Sequence, residues 1–464
     1  MEGFSLNLYY GLTNYHLLCS ILHKFIYNDN DKAVFVASQG ILKSRIEVLK
    51  KSGIFDEVYY LEDTQIRDKM FNQVIENSKE ENIKHITTIF IEEYEKLLPF
   101  NINDFDDLYL VADHGVFGIY ILMKRLKYIY LEDGRGIYSN WEILDNLLRI
   151  KNPGIRVMSL YYGAYGRNDL IKNKYISFDS QKSDCDFNNC IDFDVNSLLD
   201  RISNEQLESI LTVFNVKNYH VDFNRKNALV LTQRFSTYKM LENDECVLLY
   251  ALLCDILAKE CNVFLKPHPA DKADYSNVFK KEVLIDKEMP SELIKFIIKR
   301  KFDIGICTFS TSINSLKNYI EQLYNFDESI IYFKKDLFKL YALYEIASRL
   351  KANVISNETQ LSESLEKVYK LNVEENAVIL NYSDISIKDA ILVNEEIFDG
   401  ANLVIKISKK TNNEYLPKNF LDNYEFLYMK VENVDLINRI KEIKIDNILT
   451  ISQISVSICI DEKL

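Results

Sequence analysis

Short apolar runs alternate with longer amphipathic stretches along the front of the chain. The runs at 5–10, 33–37, 57–61, 108–112 and 128–131 have the length and apolar character of strands buried in a parallel sheet. Between them, 15–26, 41–51, 65–78, 86–100 and 117–126 carry apolar residues at helical spacing, least cleanly over 86–100. Thr13 or Asn14 caps the first of these helices. Such alternation predicts a parallel sheet covered on both faces.

Regularity weakens from about 139 to 224. There, 141–150 and 205–214 read as helices, Pro153-Gly154 as a break, and 179–194 as a polar stretch without strand character. The connection between domains is expected between about 175 and 225. A second alternating unit follows, with strands at 228–232, 263–265, 283–285, 304–307, 329–332 and 354–356. Its helices are expected at 245–260, at 291–298 behind Pro290, after Ser310-Thr311-Ser312, and at 340–350 and 361–370. Beyond about 373 the pattern changes: 403–407, 426–431 and 448–460 alternate like strands and 434–443 like a helix. The reading is α/β, with Rossmann-like domains at 1–200 and 225–372 and a small α+β appendage at 373–464.

Composition alters little of this. A length of 464 residues leaves room for about three domains. Glycine (13) and proline (6) are scarce, which makes each of them informative. The formal net charge of −13 argues against sequence-independent nucleic-acid binding, which needs clustered Lys and Arg. The eight cysteines show no CxxC spacing and several lie in apolar runs, so they read as reduced core residues of a cytosolic protein. The apolar start at 4–10 is too short, and lacks the basic flank, for a signal peptide. No run approaches the ~18 apolar residues of a membrane span.

Three stretches carry candidate chemistry. The first is 262–274, where the apolar run Val263-Phe264-Leu265 is stopped by Lys266-Pro267-His268-Pro269. Two prolines hold the backbone stiff around His268, at the carboxyl end of a parallel strand, where open α/β sheets bind ligands. Lys266 points to an anionic partner; a solvated loop histidine is the plainer reading. The second is Tyr128-Ile129-Tyr130-Leu131-Glu132-Asp133-Gly134. Two acids at the end of a buried strand suit a general base, and strand alternation sends their side chains opposite ways. An Asp-Gly turn with solvated acids is the alternative. Gly134-Arg135-Gly136 is not a dinucleotide fingerprint, since Ser139 stands where its third glycine belongs. The third is Gly305-Ile306-Cys307-Thr308 running into Phe309-Ser310-Thr311-Ser312. Hydroxyls and free N–H groups at a helix start suit a phosphate, although Ser310 or Ser312 can equally be an ordinary cap.

Lesser candidates surround these. Glu292 in Met289-Pro290-Ser291-Glu292 either matches a helix dipole or accepts the two hydroxyls of a ribose. Gly11, Thr13 and Asn14 follow the first strand, on the same rim, while His16 reads as a residue packed within the helix. Asp113-His114-Gly115 reads as a tight turn. There is no HExxH, no Walker lysine loop and no G-x-S-x-G elbow, and no metal set is expected.

Glu132-Asp133-Gly134, Lys266-Pro267-His268-Pro269 and Ser310-Thr311-Ser312, in this order, resemble the acid-acid-Gly, His-Pro and Ser/Thr motifs of bacterial sialyltransferases and polysialyltransferases. Gly11 to Leu18 is similar to their N-terminal loop, and Glu292 falls where they often carry a nucleotide-binding Glu. The resemblance spans about 5–350; the stretch after about 373 has no counterpart in it. It implies a GT-B architecture, two Rossmann-like domains facing across a cleft, and inverting transfer without a metal or other cofactor. The implied donor is CMP-sialic acid, and the implied acceptor a glycan ending in galactose or sialic acid. Glu132 would be the general base, with Asp133 tuning it or exchanging roles with it. Gly134 shapes that turn. His268 would assist the leaving phosphate, helped by Lys266, Pro269, Ser310, Thr311 and Ser312, and Glu292 would bind the ribose. The implied location is the cytoplasm; association with the inner membrane face or a capsule complex, and a homodimer, stay open. Two alternatives stand beside this: a His-Pro transferase using CMP-Kdo or CDP-alcohol donors, and an inactive homologue that only binds nucleotide or glycan.

Overall fold

The computed structural model describes residues 5–38, 40–74, 78–134, 142, 153–178, 189–237, 240–241, 243–258, 260–276, 284–298, 300–308, 314–326, 353–356, 377–381, 403–409, 424–431 and 458–460. The chain divides into two compact units, 1–218 with 288–297, and 219–287 with 298–464. The helix expected at 141–150, apart from Glu142, the helices at 340–350, 361–370 and 434–443, the strand at 329–332, and Ser310-Thr311-Ser312 lie outside the described residues.

The first unit is built on a seven-stranded sheet. Its strands are β1 (Leu6–Gly11), β2 (Lys32–Ala37), β3 (Glu57–Tyr60), β4 (Asp107–Leu110), β5 (Tyr128–Leu131), β6 (Ile171–Ile176) and β7 (Cys190–Asp192). They lie in the order β3-β2-β1-β4-β5-β6-β7, and every pairing is parallel. The order reverses between β1 and β4, so the carboxyl ends of those strands mark the ligand crevice of this kind of sheet. The helices α1 (Asn14–Tyr27), α2 (Lys43–Ser52), α3 (Thr64–Phe71), α4 (Glu80–Glu95) and α5 (Val116–Met123) alternate with strands as the periodicity predicts. α5 is apolar on every side and accordingly buried along its whole length. Tyr9, Tyr10, Phe35, Tyr128 and Tyr130 are fully buried in this unit. Each such side chain contributes about 1.5–3 kcal/mol through the hydrophobic effect.

The second unit holds a four-stranded sheet, ordered β11-β10-β8-β9. Here β8 is Lys226–Leu231, β9 Cys261–Lys266, β10 Phe302–Thr308 and β11 Ile320–Phe326, all in parallel pairs. An isolated parallel bridge, Leu265 to Leu284, stands where a strand was expected at 283–285. The strand order again reverses, here between β8 and β10. A five-stranded sheet made from 353–356, 377–381, 403–409, 424–431 and 458–460 belongs to the same unit. The strand expected at 354–356 to close the Rossmann-like sheet is therefore part of this other sheet, paired with Ala377–Asn381.

Other differences have plain causes. β6 and β7 were not expected, because Ile171–Ile176 reads Ile-Lys-Asn-Lys-Tyr-Ile, and its partly exposed position near the sheet edge requires no apolar run. The helix expected after Ser310-Thr311-Ser312 is, among the described residues, a 3-10 turn at Asn314–Tyr319, and β11, which was not expected, follows it directly. The helix behind Pro290 is a 3-10 turn, Ser291–Phe296. It lies in the first unit, not with the donor domain expected for Glu292. Leu293, Ile294 and Ile297 are fully buried. The segment is fastened by Arg45 Nη1 donating to the Glu288 carbonyl at 2.9 Å and Asn14 Nδ2 donating to Glu288 Oε2 at 2.8 Å. Lys295 adds an ion pair with Asp200 at 2.9 Å.

Candidate functional site

β5 runs fully paired and buried into Glu132, which is 6% exposed. Its carboxylate is held at both oxygens. Oε1 accepts from the Tyr15 hydroxyl at 3.0 Å, and Oε2 from the Ser177 backbone N–H at 2.7 Å. Tyr15 stands in the first turn of α1, and Ser177 directly follows β6, so the start of α1 and the end of β6 converge on this acid. Burial first, then the nearby Cys19 and the charges of Glu132 and Glu292, hold the Tyr15 phenol well above its ordinary range, and it remains a neutral donor. Glu292, itself 9% exposed, thus belongs to the same corner of the first unit.

Asp133 goes the other way. Its Oδ2 lies 3.8 Å from His114 Nδ1. Its backbone carbonyl is 3.3 Å from Nε2 of His16. Nδ1 of His16 accepts from the Leu12 N–H at 3.1 Å, so Nε2 carries the ring proton and donates to Asp133. Burial pulls His16 down to about 4, against that hydrogen bond, so the ring is neutral at ordinary pH. Gly134 takes φ +99°, a left-handed geometry that favours glycine and lets the chain turn directly after the two acids.

The other rim residues hold this arrangement together. Thr13 caps α1, its hydroxyl accepting from the His16 N–H at 3.2 Å. Asn14 is buried and spends its amide on Glu288. Gly11 leaves room for His16, whose Cβ would lie 2.9 Å from any Cβ added there. The Asp113-His114-Gly115 turn closes as expected, Gly115 N–H to the Ala112 carbonyl at 2.9 Å, but it also buries Asp113 completely.

In the second unit the His-Pro loop hangs on a small network at the ends of β8 and β9. The His268 N–H donates to Thr232 Oγ1 at 3.0 Å, and that hydroxyl donates to Asp271 Oδ2 at 2.8 Å. Asp271 is 2% exposed and accepts also from the Tyr275 hydroxyl at 2.8 Å. Nδ1 of His268 accepts from the Ala270 N–H at 3.0 Å, which fixes the proton on Nε2. Burial, then the positive charges of Arg234 and Lys266, lower His268 to about 4. Lys266 is 3% exposed, and its Nζ donates to the carbonyls of Pro267 at 3.3 Å and Lys287 at 3.1 Å. It supports the loop from beneath, and its charge reaches His268 through space. Pro269 is exposed at the tip. Gln233 Nε2 donates to the Thr308 carbonyl at 3.5 Å, linking the loops after β8 and β10.

Within each unit, then, the residues named from sequence gather as follows: Glu132, Asp133, Gly134, Gly11, Thr13, Asn14 and Glu292 in the first, and Lys266, His268 and Pro269 in the second. Sequence reasoning did not name Tyr15, Ser177, Thr232, Arg234 and Asp271 as site residues. Thr232 and Arg234 had a signal, since they stand at the polar end of an apolar strand. Ser177 had none. Among the described residues no group of three or more His, Cys, Asp or Glu side chains gathers as a metal set does.

The model of the alpha-2,8-polysialyltransferase (POLYST) family matches residues 16–323, a stretch that takes in the acid-acid-Gly turn, the His-Pro loop and the hydroxyl run. The chain belongs to this family. An uncharacterized protein of Haemophilus influenzae is 24% identical over 202 residues, 43% of this chain and 62% of that protein. Among solved structures, the spinosyn rhamnosyltransferase is similar at 11% identity and TM-score 0.36, covering 86% of this chain and 97% of its own. A UDP-N-acetylglucosamine 2-epimerase is similar at 9% identity and TM-score 0.34, covering 80% of this chain and 92% of its own.

Proposed function

We propose that this polysialyltransferase-family chain is an inverting sialyltransferase of GT-B type that moves sialic acid from CMP-sialic acid to a terminal sugar hydroxyl of a surface glycan, a lipooligosaccharide or capsule, without a metal. Galactose or sialic acid is the expected acceptor terminus. The observation that carries the reading is that two groups of matched chemistry stand at strand ends within the family-matched stretch: a buried carboxylate fixed at both oxygens, and a neutral imidazole with its proton on Nε2.

The acceptor oxygen attacks the anomeric carbon of sialic acid while the bond from that carbon to the CMP phosphate breaks. The acceptor proton passes to Glu132, and the bonding pair leaves with CMP. His268 donates a hydrogen bond from Nε2–H to the departing phosphate oxygen, where negative charge grows, and keeps its proton. It enters neutral, and the arriving phosphate raises its proton affinity. Thr311 and Ser312 are proposed to bind the same phosphate, and Lys266 and Arg234 to add positive field. Glu292, in the same corner as Tyr15, is better suited to an acceptor hydroxyl than to the donor ribose. The reaction requires Glu132 and His268 to act on one donor–acceptor pair.

The test is incubation of the purified chain with CMP-sialic acid and a panel of galactosides and sialosides, with mass detection of products, beside CMP-Kdo and CDP-alcohol donors. Sialylated product from CMP-sialic acid alone is expected. Turnover of only the other donors, or of none, overturns the reading.

A further inference from the structure

We propose that His114 is a positioning residue for the acid-acid-Gly turn, clamped against Asp133 by a left-handed loop at 163–166. The inference rests on the reading of Glu132 as the base.

The clamp begins at Asp113, which is fully buried. Its carboxylate accepts from the Tyr128 hydroxyl at 2.9 Å, the Tyr165 N–H at 2.7 Å and the Gly166 N–H at 2.8 Å. Successive N–H groups can close on one carboxylate because the loop is left-handed: φ is +67° at Gly163, +61° at Tyr165 and +71° at Gly166. Tyrosine in that region costs on the order of 1–2 kcal/mol, so the surrounding bonds must hold it there. The Arg167 guanidinium contributes by donating to the Tyr165 carbonyl at 3.0 Å.

The strained residue delivers its ring to His114. The Tyr165 and His114 rings are stacked, with centroids 4.4 Å apart and planes 9° from parallel. With one face covered, the imidazole has little rotational freedom. Its Nδ1 stands 3.8 Å from Asp133 Oδ2, whose side chain is only 3% exposed. Asp133 is also gripped at its carbonyl by His16. Side chain and backbone of the residue after Glu132 are thus steered by two histidines, His114 in the turn after β4 and His16 in the first turn of α1. A shift of Asp133 would carry Glu132 off Tyr15 and Ser177.

Two measurements test this. The first needs no turnover: NMR titration of His114 in the parent and in Asp133→Asn. Among the described residues, Asp113, Tyr165, Tyr130, Arg167, His16 and Cys19 also stand around the ring or the acid. An opposite charge within about 4–6 Å raises a histidine by one to three pKa units. Asp133→Asn is therefore expected to weaken proton binding at His114 by about tenfold or more; an unchanged titration overturns the proposal. The second measurement is kinetic. His114→Phe keeps the stack and loses the polar edge. It is expected to lower kcat about tenfold while KM for CMP-sialic acid holds, and His114→Asn is expected to recover part of the loss. Parent-like kcat in His114→Phe, or a loss confined to KM, overturns it. Should the parent transfer no sialic acid, the assigned activity fails while the titration still decides the pairing.

Discussion

Replacing Glu132 by Gln separates chemistry from structure, because the carboxylate is held by two donors of unequal flexibility. The Ser177 N–H is fixed backbone at 2.7 Å and demands an oxygen. The Tyr15 hydroxyl at 3.0 Å can turn and accept instead of donating. A glutamine therefore fits with its oxygen on Ser177 and its amide on Tyr15. Two charge-assisted bonds of about 1.5–3 kcal/mol become neutral ones of about 0.5–1.5 kcal/mol, and the cost of burying a charge disappears. The net change in stability is expected within about 1–2 kcal/mol, a melting shift of a few degrees. Losing a general base costs about 10²–10⁴ in rate, or about 3–5 kcal/mol of barrier. Glu132→Ala is the poorer probe, since it strands the Ser177 N–H at a cost of about 1–3 kcal/mol and leaves a cavity. The assay is the initial rate of transfer from saturating CMP-sialic acid, with a thermal melt of each variant and Asp133→Asn beside it. If Glu132→Gln keeps more than about a tenth of the parent rate, Glu132 is not the base. If Asp133→Asn alone collapses the rate, the two acids have exchanged roles.

Three further outcomes follow from the same geometry. His268 should titrate near 4 in the free protein and move upward when CMP is added, by NMR; a free-state value near 6.5 would mean that burial, Arg234 and Lys266 do not act on it as described. His23→Phe should make the first unit more resistant to acid. His23 sits among Tyr9, Tyr109, Tyr175 and Phe193 with its Nε2 unpartnered among the described residues, and burial lowers it from 6.5 to about 3. The unfolded chain therefore takes up this proton first, and stability drains away as pH falls through 6.5 toward about 3, at about 1.4 kcal/mol per pH unit. Asp113, raised by burial from 3.8 to about 6, works in the opposite direction over that narrower window, so the gain should appear as a lower acid-unfolding midpoint for His23→Phe and not as a pH-independent shift. Transfer should proceed at the same rate in excess EDTA, and a loss restored by a divalent cation would overturn the metal-free reading.

What the sequence made legible is what a parallel sheet makes repetitive. Each apolar run ends where polar residues begin, and the strand end is where a doubly wound sheet leaves room for a ligand. Glu132 and His268 were readable because both stand within two residues of such an end, and because the scarcity of proline and glycine makes Pro267, Pro269 and Gly134 stand out. The holding groups were not readable, for a different reason. Ser177 meets Glu132 through its backbone N–H, which any residue but proline supplies, so nothing in its identity marks it. Tyr165 acts through a left-handed φ that its side chain does not advertise. Glu292 was read with the second half because its neighbours in sequence belong to the second unit, whereas the short stretch 288–297 divides with the first. Local pattern therefore finds the group that would react, and the groups that would aim it are set by long-range packing. A substitution at Ser177 to proline should consequently damage Glu132 as severely as a change in Glu132 itself, whereas Ser177→Ala, which keeps the N–H, should leave transfer nearly intact. A Ser177→Ala variant as inactive as the proline one would show that the hydroxyl, not the backbone, is what Glu132 depends on.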